Sequence, residues 1–170
     1  MKAYGTNDEE KSFEHELAGK YLTFNLAGEL YALPIRPIND IVEMQEYTEV
    51  PRTANYVRGV INLRGTVIPI IDLREKFGLD TKEYDDKTCI IVVEIEEMQT
   101  GLVVDRVSEV LEFGDEEIDP SPKMSADVQV EFIAGIGKRE KAVYMLLNIE
   151  QLMEKKELQS LEQEIDQQEE

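Results

Sequence analysis

The sequence predicts an all-β protein: two small β-barrels packed against each other, followed by a C-terminal helix. Three observations predict it. Short β-branched runs alternate apolar and polar residues with period two and are separated by tight turns. Two blocks of the chain recur in the same order without gaps. Units of this size are marginal alone, and closing the sheet removes exposed strand edges.

Residues 1–18 carry five acids and two bases and read as a mobile acidic arm. From Tyr21, "YLTFNLAGELYALPI" alternates around Ala27-Gly28-Glu29, a hairpin pattern. "TCIIVVEI" (88–95) reads as a buried strand, "TGLVVDRVSEVLEF" as its return, and "AVYMLL" (142–147) as another strand. Asp72 is placed to cap "LREKF", with Glu75 completing a capping box and Gly78 ending the turn; Asn148 and Gln151 repeat the arrangement. Ile149, Leu152, Met153, Leu158, Leu161 and Ile165 recur at helical intervals. They predict one C-terminal helix, packed near its start and frayed at "EIDQQEE".

The repeat sets the domain boundaries. "YALPIRPINDIVEM" (31–44) lies over "TGLVVDRVSEVLEF" (100–113) at an offset of 69 residues. "GVINLRGTVIPIIDLREKF" (59–77) lies over "GIGKREKAVYMLLNIEQLM" (135–153) at an offset of 76. The later copy therefore holds a seven-residue insertion, near "DPSPKMS". The expected organisation is an arm at 1–18, a first barrel at 19–80, a second at 86–150, and a helix and acidic tail at 151–170, with the barrels meeting at an apolar seam.

Charge narrows the partners. There are 37 acids against 18 bases, a net charge of −19. Nucleic acid and anionic lipid both need a basic surface, so the expected partners are other proteins or cations. Cys89 is the one cysteine, which excludes an internal disulfide and suits a reducing cytoplasm. No run approaches the ~20 apolar residues of a membrane helix, and the N-terminus lacks a signal-peptide core. The expected location is the cytoplasm, with any membrane association through a partner.

Catalytic chemistry finds few residues. His15 is the one histidine, and Cys89 shares a strand face with Ile91, Val93 and Ile95, the pattern of a buried structural thiol. No nucleophile set, zinc motif, calcium loop or phosphate cradle can be assembled, and no cofactor is expected. The many carboxylates read as a solvated acidic surface. An acid/base pair in the seam between the barrels stays open as an alternative.

The two Arg-Gly pairs of "VRGVINLRGTVIPIIDLREKFG" (57–78) are separated by the repeat. Gly59 meets Gly135, so shared backbone geometry accounts for it. Arg64 and Gly65 meet Glu140 and Lys141, so the turn itself does not require them. An arginine with apolar neighbours in so acidic a protein is the best single residue for a partner contact. In "TVIPIIDL", Val67, Pro69 and Ile71 share one face and Ile68 and Ile70 the other. Both faces are apolar, so the second must be covered by the other unit or by a partner, and Pro69 marks a ladder edge or bulge.

Together "RGVINLRGTVIPIIDLREKFG", the preceding "YLTFNLAGELYALPI" and the following "GLVVDRVSEVL" resemble the CheW family over about residues 19–153. The resemblance implies two SH3-like five-stranded barrels around a hydrophobic seam and no enzymatic activity. It implies an adaptor that couples methyl-accepting chemotaxis receptors to the histidine kinase CheA. One barrel would dock the kinase regulatory domain, and the groove between barrels would take the receptor's cytoplasmic tip. Carried over by motif, Arg64 with Gly65 serves receptor and kinase coupling, and Ile38 and Asp40 lie on the strand facing the kinase. Gly59, Gly101, Val107 and Val110 lie near the receptor groove. Asp40 stands where the family often has Glu, which shortens that contact, and Arg36-Pro37 interrupts the strand. A CheW-like adaptor of a non-chemotaxis kinase fits the same residues.

Overall fold

The computed structural model describes residues 19–120 and 132–169. The acidic arm with His15, and the expected insertion beyond Pro120, fall outside the described residues. Among the described residues there are eleven strands: β1 (Lys20–Leu26), β2 (Glu29–Pro34), β3 (Ile38–Glu43), β4 (Val57–Leu63), β5 (Thr66–Asp72), β6 (Cys89–Ile95), β7 (Met98–Val104), β8 (Arg106–Glu112), β9 (Ile118–Asp119), β10 (Ile133–Arg139) and β11 (Ala142–Leu147). Helices are α1 (Leu73–Lys76), α2 (Ile149–Leu152) and α3 (Lys155–Glu169), with a 3₁₀ turn at Asp115–Glu117.

The strands form two sheets, in the orders β8-β1-β2-β11-β10-β9 and β3-β6-β7-β5-β4. Both close. After β3 the chain bends, and Thr48 exchanges two backbone hydrogen bonds with Val60 of β4, at 2.9 and 2.8 Å. After β8 it bends through the 3₁₀ turn into β9, which pairs with β10. Each barrel thus has five strands, one of them bent.

The barrels do not coincide with the contiguous units 19–80 and 86–150. Hairpin β1–β2 pairs with β8 and β11, whereas hairpin β6–β7 pairs with β3 and β5. Each half of the chain lends its first hairpin to the other half's barrel. Hydropathy explains why this is stable: both faces of β6 are apolar, and β1–β2 sets Leu22, Phe24, Leu26, Tyr31 and Leu33 on one face and Leu30 and Ala32 on the other. In β6, Ile90 and Val92 fill a barrel interior with Ile61, Ile68, Ile70 and Val103. Ile91, Val93 and Ile95 point the other way into the seam, where they join Leu22, Phe24, Leu26, Tyr31 and Leu33 of the other hairpin. The interior of the second barrel is built around Ala32, Phe113, Tyr144 and Leu146. The seam is thus the largest apolar cluster. It is threaded by rings of Phe24, Tyr31, Phe77 and Phe132 with centroids 5.7, 5.6 and 4.3 Å apart.

The repeat extends to irregularities. A bulge lies between Val57 and Gly59 in β4 and another between Ile133 and Gly135 in β10. Asp72 caps α1 by accepting from the Arg74 N–H at 2.9 Å, and Asn148 caps α2 by accepting from Glu150 at 3.1 Å. Glu75 does not complete a capping box; it pairs with Arg58 at 3.4 Å. Gly78, at φ +74°, ends the turn. Pro69 faces Val60, and the β5–β7 ladder starts one residue later at Ile70, so the missing N–H marks the ladder's limit. Arg36-Pro37 forms the turn between β2 and β3 rather than breaking a strand.

Two further expectations need correction. The C-terminal helix is broken: Met153 is extended, at φ −134° and ψ 130°, and α3 starts afresh at Lys155. Packing also runs further along it than expected, because Ile165 is buried with Leu158 and Leu161. Cys89 keeps the predicted face but sits at a strand start, half-buried, with its Sγ donating to the Lys87 carbonyl at 3.3 Å.

Candidate partner-binding surface

Tight hairpins demand left-handed backbone at their tips. The tips Ala27-Gly28, Arg64-Gly65 and Glu96-Glu97 all supply it, and Glu140 supplies it at the fourth. At φ +53° Arg64 has the same backbone as Glu140 at +54°, so the turn specifies a conformation but not an arginine. The Gly65 N–H donates to the Asn62 side chain at 2.9 Å, which fixes the tip.

The Arg64 side chain is 76% exposed, and its Nη1 lies 2.6 Å from Asp40 Oδ2 on β3. The other Asp40 oxygen accepts from the Ile41 N–H at 2.9 Å, beside a bulge between Ile38 and Asp40. The shorter Asp side chain still reaches the arginine. Ile41 is 42% exposed next to this pair, and Ile38 is half-buried against the seam. The tip and β3 therefore present a fixed guanidinium, a carboxylate and an apolar side chain together. Such a combination suits binding to a protein.

The other four expected residues divide. Val107 and Val110 lie on β8, in the barrel that does not carry Arg64. Val107 is half-buried against the seam, and Val110 is 52% exposed. By the offset of the repeat they are the counterparts of Ile38 and Ile41. Gly59 and Gly101 are enclosed. A Cβ on Gly59 would sit 2.8 Å from the Thr48 carbonyl carbon and closer still to its oxygen, where the barrel closes. Gly135, its counterpart, meets Asp119 O at 2.9 Å at the equivalent closure. A Cβ on Gly101 would meet Ile90 at 2.6 Å and Ile70 at 3.0 Å inside a barrel.

Three polar networks lie away from the Arg64 tip. Asp72 is buried and accepts from Tyr84 at 2.7 Å and from Arg58 at 3.4 Å, so Arg58 reads as architecture. Burial and that bond to Asp72 push the Tyr84 hydroxyl well above its ordinary range. Arg74 grips Asp105 with two bonds of 2.8 and 2.6 Å, and Asp105 also accepts from the Ala27 N–H at 2.9 Å. Burial raises the Asp105 carboxyl, but these donors outweigh it and hold the group below its ordinary value. Glu157 of α3 accepts from Tyr56 and lies 3.2 Å from Lys76, whose ammonium stands 4.2 Å from the Tyr56 ring centroid. Sequence reading missed these networks because their partners are distant in the chain; the sole local signal was the cap at Asp72.

An open cleft of about 770 Å³ lies between the barrels, lined by Tyr21, Pro34, Arg36, Glu94, Ala134 and Glu150 among others. Among the described residues no group of three or more His, Cys, Asp or Glu could hold a metal ion.

The CheW-like domain family matches residues 20–157. A chemotaxis protein CheW of Helicobacter pylori is 37% identical over 145 residues, 85% of this chain and 87% of that one. A chemotaxis protein CheW of Klebsiella aerogenes is 34% identical over 139 residues, 82% of this chain and 84% of that one. The crystal structure of the scaffolding protein TtCheW from Thermoanaerobacter tengcongensis superposes with a TM-score of 0.75 at 34% identity, covering 82% of this chain and 94% of that one.

Proposed function

The chain belongs to the CheW-like domain family, and from that membership we propose that it is a chemotaxis scaffold without enzymatic activity. It couples methyl-accepting receptors to the histidine kinase CheA. The observation that carries the reading is the Arg64–Asp40 pair, held at 2.6 Å on an exposed hairpin tip beside Ile38 and Ile41. In this reading that surface docks the regulatory domain of the kinase. Val107 and Val110 of the other barrel face the receptor tip at the groove between barrels. Gly59 and Gly101 act on binding through packing, since neither offers a side chain. Each interface buries about 800 Å² per partner or less, enough for exchangeable binding. No helix among the described residues is long and apolar enough to cross a membrane. In this reading the protein is cytoplasmic and reaches membrane receptor arrays through its partners.

Arg64→Glu is the test. The pair is exposed and worth at most about 1 kcal/mol, so the denaturation midpoint should barely move. Receptor-dependent kinase activation in a reconstituted mixture should fall several-fold. Unchanged activation would remove Arg64 from the interface. Failure of the wild-type protein to retain either a CheA fragment or a receptor fragment would refute the scaffold reading itself.

A further inference from the structure

Helix α3 extends past the family match, which ends at residue 157. Its apolar side chains Leu158, Leu161 and Ile165 are buried in the seam cluster, where Val57, Val67 and Met98 of the five-stranded sheet also pack. Its first turn is anchored through Glu157 to Tyr56 and Lys76. The far end is held differently. A cavity of about 620 Å³ separates Glu162 and Asp166 of α3 from Glu96 and Glu97 at the β6–β7 tip and from Gly65 at the β4–β5 tip. All four carboxylates are exposed, and among the described residues no ion pair joins any of them to a cation. Lys155 is the one basic residue lining the adjoining cavity, at the opposite end of the helix. No basic residue occupies the last turn of α3, where the helix dipole favours one. A second cavity, about 350 Å³, lies along the other flank between α3 and residues 52–57. The apolar stripe therefore holds α3 down while like charge opposes its second half.

We infer that α3 is a removable strap, and that the face beneath it (Val57, Val67 and Met98) is a second docking surface for a partner's amphipathic helix bearing lysine or arginine where α3 has Glu162 and Asp166. The face already accepts a helix of that apolar spacing, and its rim is acidic at Glu96 and Glu97. A basic helix would replace repulsion with attraction. The surface adjoins the Arg64–Gly65 tip, so release of the strap would enlarge the binding area there.

The first measurement is hydrogen exchange of residues 155–169 in the full chain. Exchange should slow by about threefold or more between low salt and ~0.5 M salt, because screening removes the repulsion. Glu162→Lys with Asp166→Lys should slow it at low salt and abolish the salt response. The second measurement uses the full chain carrying Leu161→Ser and Ile165→Ser, which frees the strap. A synthetic peptide of residues 154–170 with both lysine substitutions should bind it several-fold more tightly than the native-sequence peptide at low salt, with the difference shrinking at high salt. Salt-independent exchange of α3, or exchange as slow as that of β5, would overturn the strap. Equal or absent binding of the two peptides to the freed chain would overturn the docking surface. Neither measurement involves kinase or receptor, so both outcomes are independent of the scaffold reading.

Discussion

Gly59→Ala tests whether a residue of the expected groove acts by contact or by packing. Its backbone is at φ +155°, and an added Cβ would press into the Thr48 carbonyl and come within 3.0 Å of the Tyr47 ring. The obstacle is backbone, held by the two hydrogen bonds between Thr48 and Val60, so it cannot yield without opening the barrel. An unfavourable backbone region and overpacking each cost about 1–3 kcal/mol, and loss of a closing hydrogen bond adds about 1. These terms sum to about 3–7 kcal/mol; with local relaxation the expected loss is at the low end, about 3–4 kcal/mol, a large part of the roughly 5–15 kcal/mol that holds an ordinary domain together. Urea unfolding should show a midpoint about 1–2 M lower with an unchanged slope. Gly135→Ala, whose Cβ would stand 2.9 Å from Asp119 O, should cost less. Partner binding by Gly59→Ala should recover when the folded fraction is restored by cooling or a stabilising osmolyte. An unchanged midpoint combined with lost binding would refute the packing argument and make Gly59 a direct contact.

Two further outcomes follow from the polar networks. Asp72→Ala removes the cap of α1, strands Tyr84 and leaves Arg58 with Glu75, so it should cost about 2–3 kcal/mol rather than the ~1 of a cap alone; a loss under about 1 in chemical denaturation would count against the network. Asp105 has a folded pKa below its ordinary 3.8, so its contribution with Arg74 is complete above that value and is lost as pH falls through the lowered one. The stability gap between wild type and Arg74→Gln should therefore be constant near neutrality and shrink as pH falls below 3.8; a gap that widens in acid would refute the pair's role.

Much of this was legible because it is local. Hairpin tips, the caps at Asp72 and Asn148, and the pairing of Gly59 with Gly135 follow from residue type and from the repeat. The apolar second face of β5 was legible too, although what covers it was not: Val67 packs at the seam cluster that α3 joins. The exchange of hairpins was hidden, because period-two alternation shows which face is buried but not against which strand. The enclosure of Gly101 was hidden because a glycine leaves no hydropathy signal in a core. Arg58 and Arg64 look alike in sequence. One is drawn inward by Asp72 and Glu75, and the other is held at the surface by Asp40.

The exchanged hairpins bear on how such a chain is made. On a ribosome, β1 and β2 emerge first but cannot complete their ladders until β8 and β11 follow, more than seventy residues later. Neither half is a self-sufficient folding unit, and pairings so distant in sequence slow folding. A polypeptide of half the length could satisfy the same pairings only as a homodimer whose subunits trade their leading strands. The present chain is equivalent to that dimer joined end to end. In a single chain the two halves need not be identical, and one tip carries Arg64 where the other carries Glu140.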